Sequence, residues 1–269
     1  MVRIEVPHDH PRKVSLDIRE KIIEGHTRQE VATAGLLAHG RGEAFDYLIG
    51  ESTNDLARSA IRVAAAALLT AKHPVISVNG NVCSLVPNEI VELSKLTGAS
   101  LEINLFYYRK EREDAILGAL KRAGAIEVLG THDRPSTTIP ELSSNRRKVD
   151  SDGIAIADVV LVPLEDGDRT EALKAIGKYV ITIDLNPMSR TAVYSDVTIV
   201  DNIVRSLPLL VRAVKEIKDQ PVDELEKIVS DFDNDKNLTK AMQLILARLE
   251  ELSKDVGSLR TKKTIGVKA

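Results

Sequence analysis

The sequence predicts an α/β fold: a largely parallel sheet with helices on both faces, plus helical N- and C-terminal segments. Three observations predict it. Short β-rich runs alternate with helical patterns from residue 74 to residue 217, as βαβ units require. Runs such as Val159-Val160-Leu161-Val162 are apolar without alternation, which suits strands covered on both faces. Residues 1–73 and 221–254 instead place apolar side chains at helical spacing.

The elements follow in order. Residues 15–24 form a short amphipathic helix, and His26 opens a second one that runs to the region of Gly35. Ser52 or Thr53 caps a long helix that ends near residue 71. Leu56, Ala60, Val63, Ala67 and Leu68 share one face of it, and its alanines let another helix approach closely. Strands are expected at 74–78, 101–105, 125–129, 158–162, 179–183 and 197–200. Helices at 88–97, 109–122, 169–176 and 202–217 lie between most of them. Helices at 222–229 and 238–252 follow, with a turn at 231–237. No repeat or low-complexity linker interrupts the chain, so residues 1–256 read as one domain. Residues 257–269 read as a frayed basic tail.

Composition narrows the function. A hydrophobic share of 43% lets 269 residues bury a sizeable core. The net charge of −3, with no Trp and few aromatics, gives neither a global pull toward nucleic acid nor base-stacking platforms. The longest apolar stretch, at 64–69, is too short to span a membrane. The N-terminus has no apolar signal region. Cys83 is the single cysteine, so no internal disulfide forms, and it reads as a small buried hydrophobe. A cytoplasmic protein is expected.

In sheets of this kind ligands bind beyond the carboxyl ends of the strands. Four such ends are polar: Asn79-Gly80-Asn81, Pro163 to Arg169, Asp184 to Thr191, and Asp201-Asn202. Asn, Asp and Gly also fill ordinary turns, but four such loops at one edge favour a shared site. Glu165-Asp166-Gly167-Asp168-Arg169 gathers three carboxylates, which fits Mg²⁺ or an ammonium group. Alternatively, Asp168 caps the next helix with Glu171 three positions on. Arg41 stands between Gly40 and Gly42 on an expected turn. That is no P-loop, which needs Lys and then Ser or Thr after its second glycine, but it suits a phosphate contact. No G-x-G-x-x-G follows a strand, and no Cys/His set has zinc spacing. His8-x-His10, between Pro7 and Pro11, reads as a rigid turn. Arg146-Arg147-Lys148 reads as a solvated loop or as a contact for an anionic substrate. From the residues alone the result is an anion-friendly, carboxylate-lined site, suited to a nucleotide.

Seven strings then carry a resemblance. They are Pro7-His-Asp-His-Pro-Arg12; Ser15-Leu16 with Arg19-Glu20-Lys21; Gly35-Leu-Leu-Ala-His-Gly-Arg-Gly-Glu-Ala-Phe-Asp-Tyr47; Pro74-Val-Ile-Ser-Val-Asn-Gly-Asn81; Val159-Val-Leu-Val-Pro-Leu-Glu-Asp-Gly-Asp-Arg-Thr-Glu-Ala172; Ile183-Asp-Leu-Asn-Pro-Met-Ser-Arg-Thr-Ala192; and Ile199-Val-Asp-Asn202. In this order they resemble the archaeal phosphopantothenate synthetases, or 4-phosphopantoate–β-alanine ligases, from about residue 5 to about residue 250. The resemblance implies a Rossmann-like fold, a homodimer and dependence on Mg²⁺, whose ligands it leaves open. It implies that ATP, 4-phosphopantoate and β-alanine give AMP, pyrophosphate and 4'-phosphopantothenate, a step toward coenzyme A. The family's ATP contacts would fall on Arg19, Arg41, Asp184, Leu185, Asn186, Arg190, Thr191, Asn202 and Ile203. Arg41, Asp166 and Glu165 are the candidate catalytic groups. His39, Asn79 and Arg147 are candidates for the acid substrate. A phosphotransferase on the same fold, or a nucleotide-binding regulator without turnover, are the alternatives. The long alanine-rich helix and the C-terminal helices offer more apolar face than one sheet needs, which also points to a dimer.

Overall fold

The computed structural model describes residues 6–142, 144–254 and 256–257. Apart from Gly257, the expected basic tail lies outside the described residues. The chain runs α1 (Lys13–Thr27), α2 (Thr33–Ile49), α3 (Asp55–Thr70), β1 (Pro74–Val78), α4 (Gly80–Leu85), α5 (Pro87–Thr97), β2 (Ser100–Ile103) and α6 (Lys110–Arg122). It continues through a hairpin of β3 (Ser136–Thr138) and β4 (Lys148–Asp150), joined through a 3₁₀ turn at Asn145–Arg147. Then come β5 (Val159–Leu161), α7 (Gly167–Ala175), β6 (Tyr179–Ile183), α8 (Arg190–Tyr194), β7 (Val197–Ile199), α9 (Ile203–Ile217), α10 (Val222–Ser230) and α11 (Asn234–Lys254).

Among the described residues, five strands form a parallel sheet in the order β2-β1-β5-β6-β7. The chain leaves β1 on one side to make β2 and returns on the other to make β5. The crevice between the β1 and β5 ends is therefore the switch point where such sheets bind ligands. Alternate strand residues serve opposite faces. Ile76, Val78, Leu161, Ile181 and Ile183 join the cluster containing α3, α5 and α9. Val75, Val160, Val162 and Val180 join a second cluster with Ala172 and Leu173 of α7 and with Ile139, Leu142, Val149 and Ile154. So α7 covers that face together with the hairpin and the loop before β5, rather than helices alone.

Several expectations change. α1 continues through His26, and the chain turns at Gln29, whose φ is 66°. α2 then starts at Thr33 and carries Gly40-Arg41-Gly42 inside it, so the expected turn is a helix. Neither glycine has a positive φ, and a helix ordinarily tolerates isolated glycines at some cost. The cap of α3 is Asn54, whose side chain accepts from the Ala57 N–H, not Ser52 or Thr53. Residues 125–129 do not form a strand. Left-handed glycines at 124 and 130 bound the run, Ile126 is exposed, and only Leu129 bridges to β2, at Glu102. α3 packs on α9 and α10, and residues Ala60 through Leu68 on its inner face are buried in this chain. That helix has no apolar surplus for a partner. α11 does: Met242, Leu246 and Leu249 are exposed at helical spacing. No helix among the described residues is long and apolar enough to cross a membrane.

Candidate functional site

The strand ends beyond the switch point are tied together before any ligand is considered. Asn79, after β1, donates its side-chain amide to the carbonyls of Pro163 and Leu164 after β5, at 3.1 Å each. Its Oδ1 accepts from the Val82 N–H and caps α4. Gly80 follows because a Cβ there would lie 2.1 Å from the Glu30 carbonyl oxygen. Only glycine lets the start of α4 press against the link between α1 and α2. Thr191, in α8, donates to the Glu165 carbonyl at 2.8 Å. Asn202 caps α9 through the Val204 N–H and donates to Asp46 of α2 at 2.8 Å. Arg205 joins Asp46 to Asp201, each at 2.6 Å, so α2 is anchored to the β7 end.

Two cavities of about 370 and 380 Å³ open above these ends. The second is lined by His39, Arg41, Glu165, Asp166, Asp184, Leu185, Asn186, Arg190, Thr191, Asn202 and Ile203. Every residue expected to contact ATP is there except Arg19. Arg19 stands behind Glu43, which it holds with two 2.8 Å bonds. Arg12 and Tyr47 also bind Glu43. Burial alone would raise the Glu43 pKa, but the hydrogen bonds from Arg19, Tyr47 and Arg12 outweigh it and hold it low. The first cavity is lined by Asn79, Gly80, Asn81, Arg112, Arg146 and Asp166 among others. Arg41 and Asp166 line both, so they stand where the two cavities join.

The electrostatics set the roles. Arg41 is exposed and makes no hydrogen bond or ion pair with any described residue. Its positive charge counters the burial that raises the Asp184 pKa, along with Ser189 and the Asn186 N–H. Burial lowers the His39 pKa, which favours the neutral ring. The Glu165 side chain is almost wholly buried and shared by two arginines, Arg169 at 2.6 Å and Arg146. Desolvation pulls both guanidinium pKa values down to about 10, and for Arg146 the neighbouring Arg169 adds to it. Both stay charged at neutral pH. Asp166 differs: its side chain is about half exposed and lies 3.2 Å from Arg146. It occupies the N-cap position of α7 without a side-chain cap bond, while Asp168 lies in the first turn. The expected cap at Asp168 is therefore displaced, and the Asp166 carboxylate faces the junction. Mg²⁺ commonly takes one or two carboxylates plus substrate phosphates, and Asp166 fits that pattern. No cluster of three or more His, Cys, Asp or Glu able to hold a metal occurs among the described residues.

Two placements depart from simple expectation. Arg147 is exposed and lines a different cavity, between β2, α6 and the hairpin. Its neighbour Arg146 is 6% exposed and points into the cleft. The basic run gave no sign of this, since burial of Arg146 depends on Glu165 nineteen residues on and on Phe106, whose ring lies 5.8 Å from its guanidinium. Glu43, Arg112 and Asp46 also line or brace the cleft without a local sequence signal. Each lies on a helical face that looks solvated until the helix docks. Cys83 is buried as expected, and desolvation raises its thiol pKa to about 12.

The model for the phosphopantothenate/pantothenate synthetase family matches residues 56–248. A protein named 4-phosphopantoate–β-alanine ligase from Thermococcus kodakarensis is 54% identical, over 94% of this chain and 96% of that protein. Proteins of the same name from Thermococcus onnurineus and Methanosarcina mazei are 53% and 48% identical, over 93% and 94% of this chain and 95% and 99% of theirs. With matches of that length and likeness, the chain belongs to the phosphopantothenate/pantothenate synthetase family.

Proposed function

We infer that this chain joins 4-phosphopantoate to β-alanine with consumption of ATP. The observation that carries the mechanism is the pair of adjoining cavities with Arg41 and Asp166 at their junction. ATP lies along the ends of β6 and β7, against Asp184, Asn186, Thr191 and Asn202. The acid lies in the neighbouring cavity, with its phosphate toward Arg112 and Arg146. Its carboxylate then meets the α-phosphate at Arg41.

The chemistry explains why cations gather there. A carboxylate does not condense with an amine at neutral pH because hydroxide is a poor leaving group. Attack of the carboxylate oxygen on the α-phosphate expels pyrophosphate and leaves an acyl-adenylate. The amine of β-alanine, once its ammonium proton has passed to solvent, then attacks the acyl carbon; AMP departs and the remaining N–H proton of the adduct is also lost to solvent. The first attack brings two anions together, so Arg41 and Arg190 lower its barrier by neutralising charge. Mg²⁺, held through Asp166, would supply further neutralisation of the phosphates. Glu165 positions Arg146 and Arg169 rather than moving a proton. We place the enzyme in the cytoplasm. The exposed stripe on α11 supports a homodimer.

The test is product analysis with each acid in the presence of β-alanine. ATP should yield AMP and pyrophosphate with 4-phosphopantoate, and far less with free pantoate, which offers no phosphate to Arg112 and Arg146. Release of ADP, or equal turnover of unphosphorylated pantoate, would contradict the reading.

A further inference from the structure

The cavity assigned to the nucleotide has two unlike ends. At the junction with the acid's cavity stand Arg41 and Asp166. Arg190 belongs to that end as well, since a Cβ at Gly167, next to Asp166, would clash with the Arg190 Cβ. At the other end, Asp46 of α2 is fastened to Asn202 and Arg205 beyond β7, and Phe45, its neighbour in the chain, lines the cavity. Phe45 carries the only phenyl or phenol ring among the described residues lining it. The ring is half-buried, yet Phe45 joins none of the hydrophobic clusters of the described residues. Aromatic side chains are large contributors to cores, so a ring left out of the core and set in a cavity wall is free to meet a ligand. Leu85, Leu185 and Ile203 add apolar lining to the same cavity. Cations thus gather at one end, and an aromatic face is offered at the other.

The spacing along α2 agrees with that polarity. Phe45 follows Arg41 by four residues, so the two are neighbours on one helix face, with Cβ atoms about 5–6 Å apart. With the α-phosphate at Arg41, a single ribose ring spans the gap to a base at Phe45. We propose that Phe45 stacks on the adenine ring of ATP and so fixes which way round the nucleotide lies. The inference rests on the reading of this cavity as the ATP site. Stacking on an aromatic ring holds a base by its face, which keeps the base at the β7 end and leaves the phosphates to the cations. A nucleotide bound the other way round would present its base, not its α-phosphate, to the acid.

The experiment measures binding of AMP and of pyrophosphate to the full chain by titration calorimetry, with circular dichroism as the folding control. Phe45→Ala should weaken AMP about five- to a hundredfold, the usual loss when a stacking ring is removed. Pyrophosphate has no base, so its affinity should stay within about twofold. Phe45→Tyr keeps the ring and should bind AMP as wild type does. Phe45→Leu keeps apolar bulk without a ring face and should not. The chain contains no Trp, so Phe45→Trp adds a single fluorophore at the contact, whose emission should be quenched by AMP and not by pyrophosphate. Wild-type AMP affinity in a folded Phe45→Ala or Phe45→Leu variant overturns the assignment. So does an equal loss of pyrophosphate affinity, which would put phosphate rather than base at Phe45. None of these readouts needs turnover. Wild-type protein that binds neither AMP nor ATP would overturn the nucleotide reading itself, a distinct outcome.

Discussion

The two walls of the cleft are built on different terms. On the strand-end wall, Asn79, Asp184, Thr191 and Asn202 each spend side-chain hydrogen bonds on the protein itself. On the α2 wall, Arg41 makes no hydrogen bond or ion pair with a described residue, Leu37 is 75% exposed, and Gly40 has open space where a Cβ would stand. The difference separates folding from binding. The strand-end wall is shaped by interactions that already contribute to stability. On the proposed reading, the α2 wall offers the Arg41 charge to a ligand. Mutations on the first should therefore read out mainly in stability, and loss of Arg41 on the second mainly in substrate affinity.

The largest expected effect falls on the strand-end wall. Glu165→Ala leaves Arg146 and Arg169 buried without their shared counter-ion. Removing one partner of a buried ion pair typically costs about 3–5 kcal/mol. A urea titration should show a lower midpoint by that measure, and a midpoint matching wild type would mean that Glu165 does not anchor the wall. The smallest effect is on α2. Gly40→Ala should stabilise the protein by about 0.5–1 kcal/mol, because an interior helical glycine is replaced where nothing obstructs a methyl group. A lower melting temperature would instead indicate a turn at this position.

The walls also differ in how far they were legible in the sequence. The strand ends were readable because Asn79, Asp184 and Asn202 follow apolar runs directly, and the parallel sheet brings such positions to one edge. Strands 74–78 and 179–183 coincide with their expected bounds. In α2, Gly40 and Gly42 signal a turn locally, while the docking of Asp46 onto Arg205 and Asn202 holds a helix there. Those partners lie more than 150 residues away, and no local pattern carries that information. The hairpin was missed for a similar reason. Its strands are three residues each, too short for alternation to show. Arg19 came from family resemblance alone, and the structure places it behind Glu43 rather than along the cleft.

On the proposed reading, Arg41 is the cation at the meeting point of ATP and the acid, and it makes no hydrogen bond or ion pair with a described residue. Arg41→Ala, assayed by ligase kinetics over an ATP titration with circular dichroism as the folding control, tests it most directly. The fold and urea midpoint should be unchanged, since the side chain is exposed and pairs with no described residue. Losing one charge-assisted contact of about 1.5–3 kcal/mol should weaken ATP affinity or turnover roughly ten- to a hundredfold. Arg41→Lys should recover only part of it, because a point charge does not reproduce the bidentate fork. Unchanged kinetics in a folded Ala variant would contradict the account and leave α2 as a structural wall only.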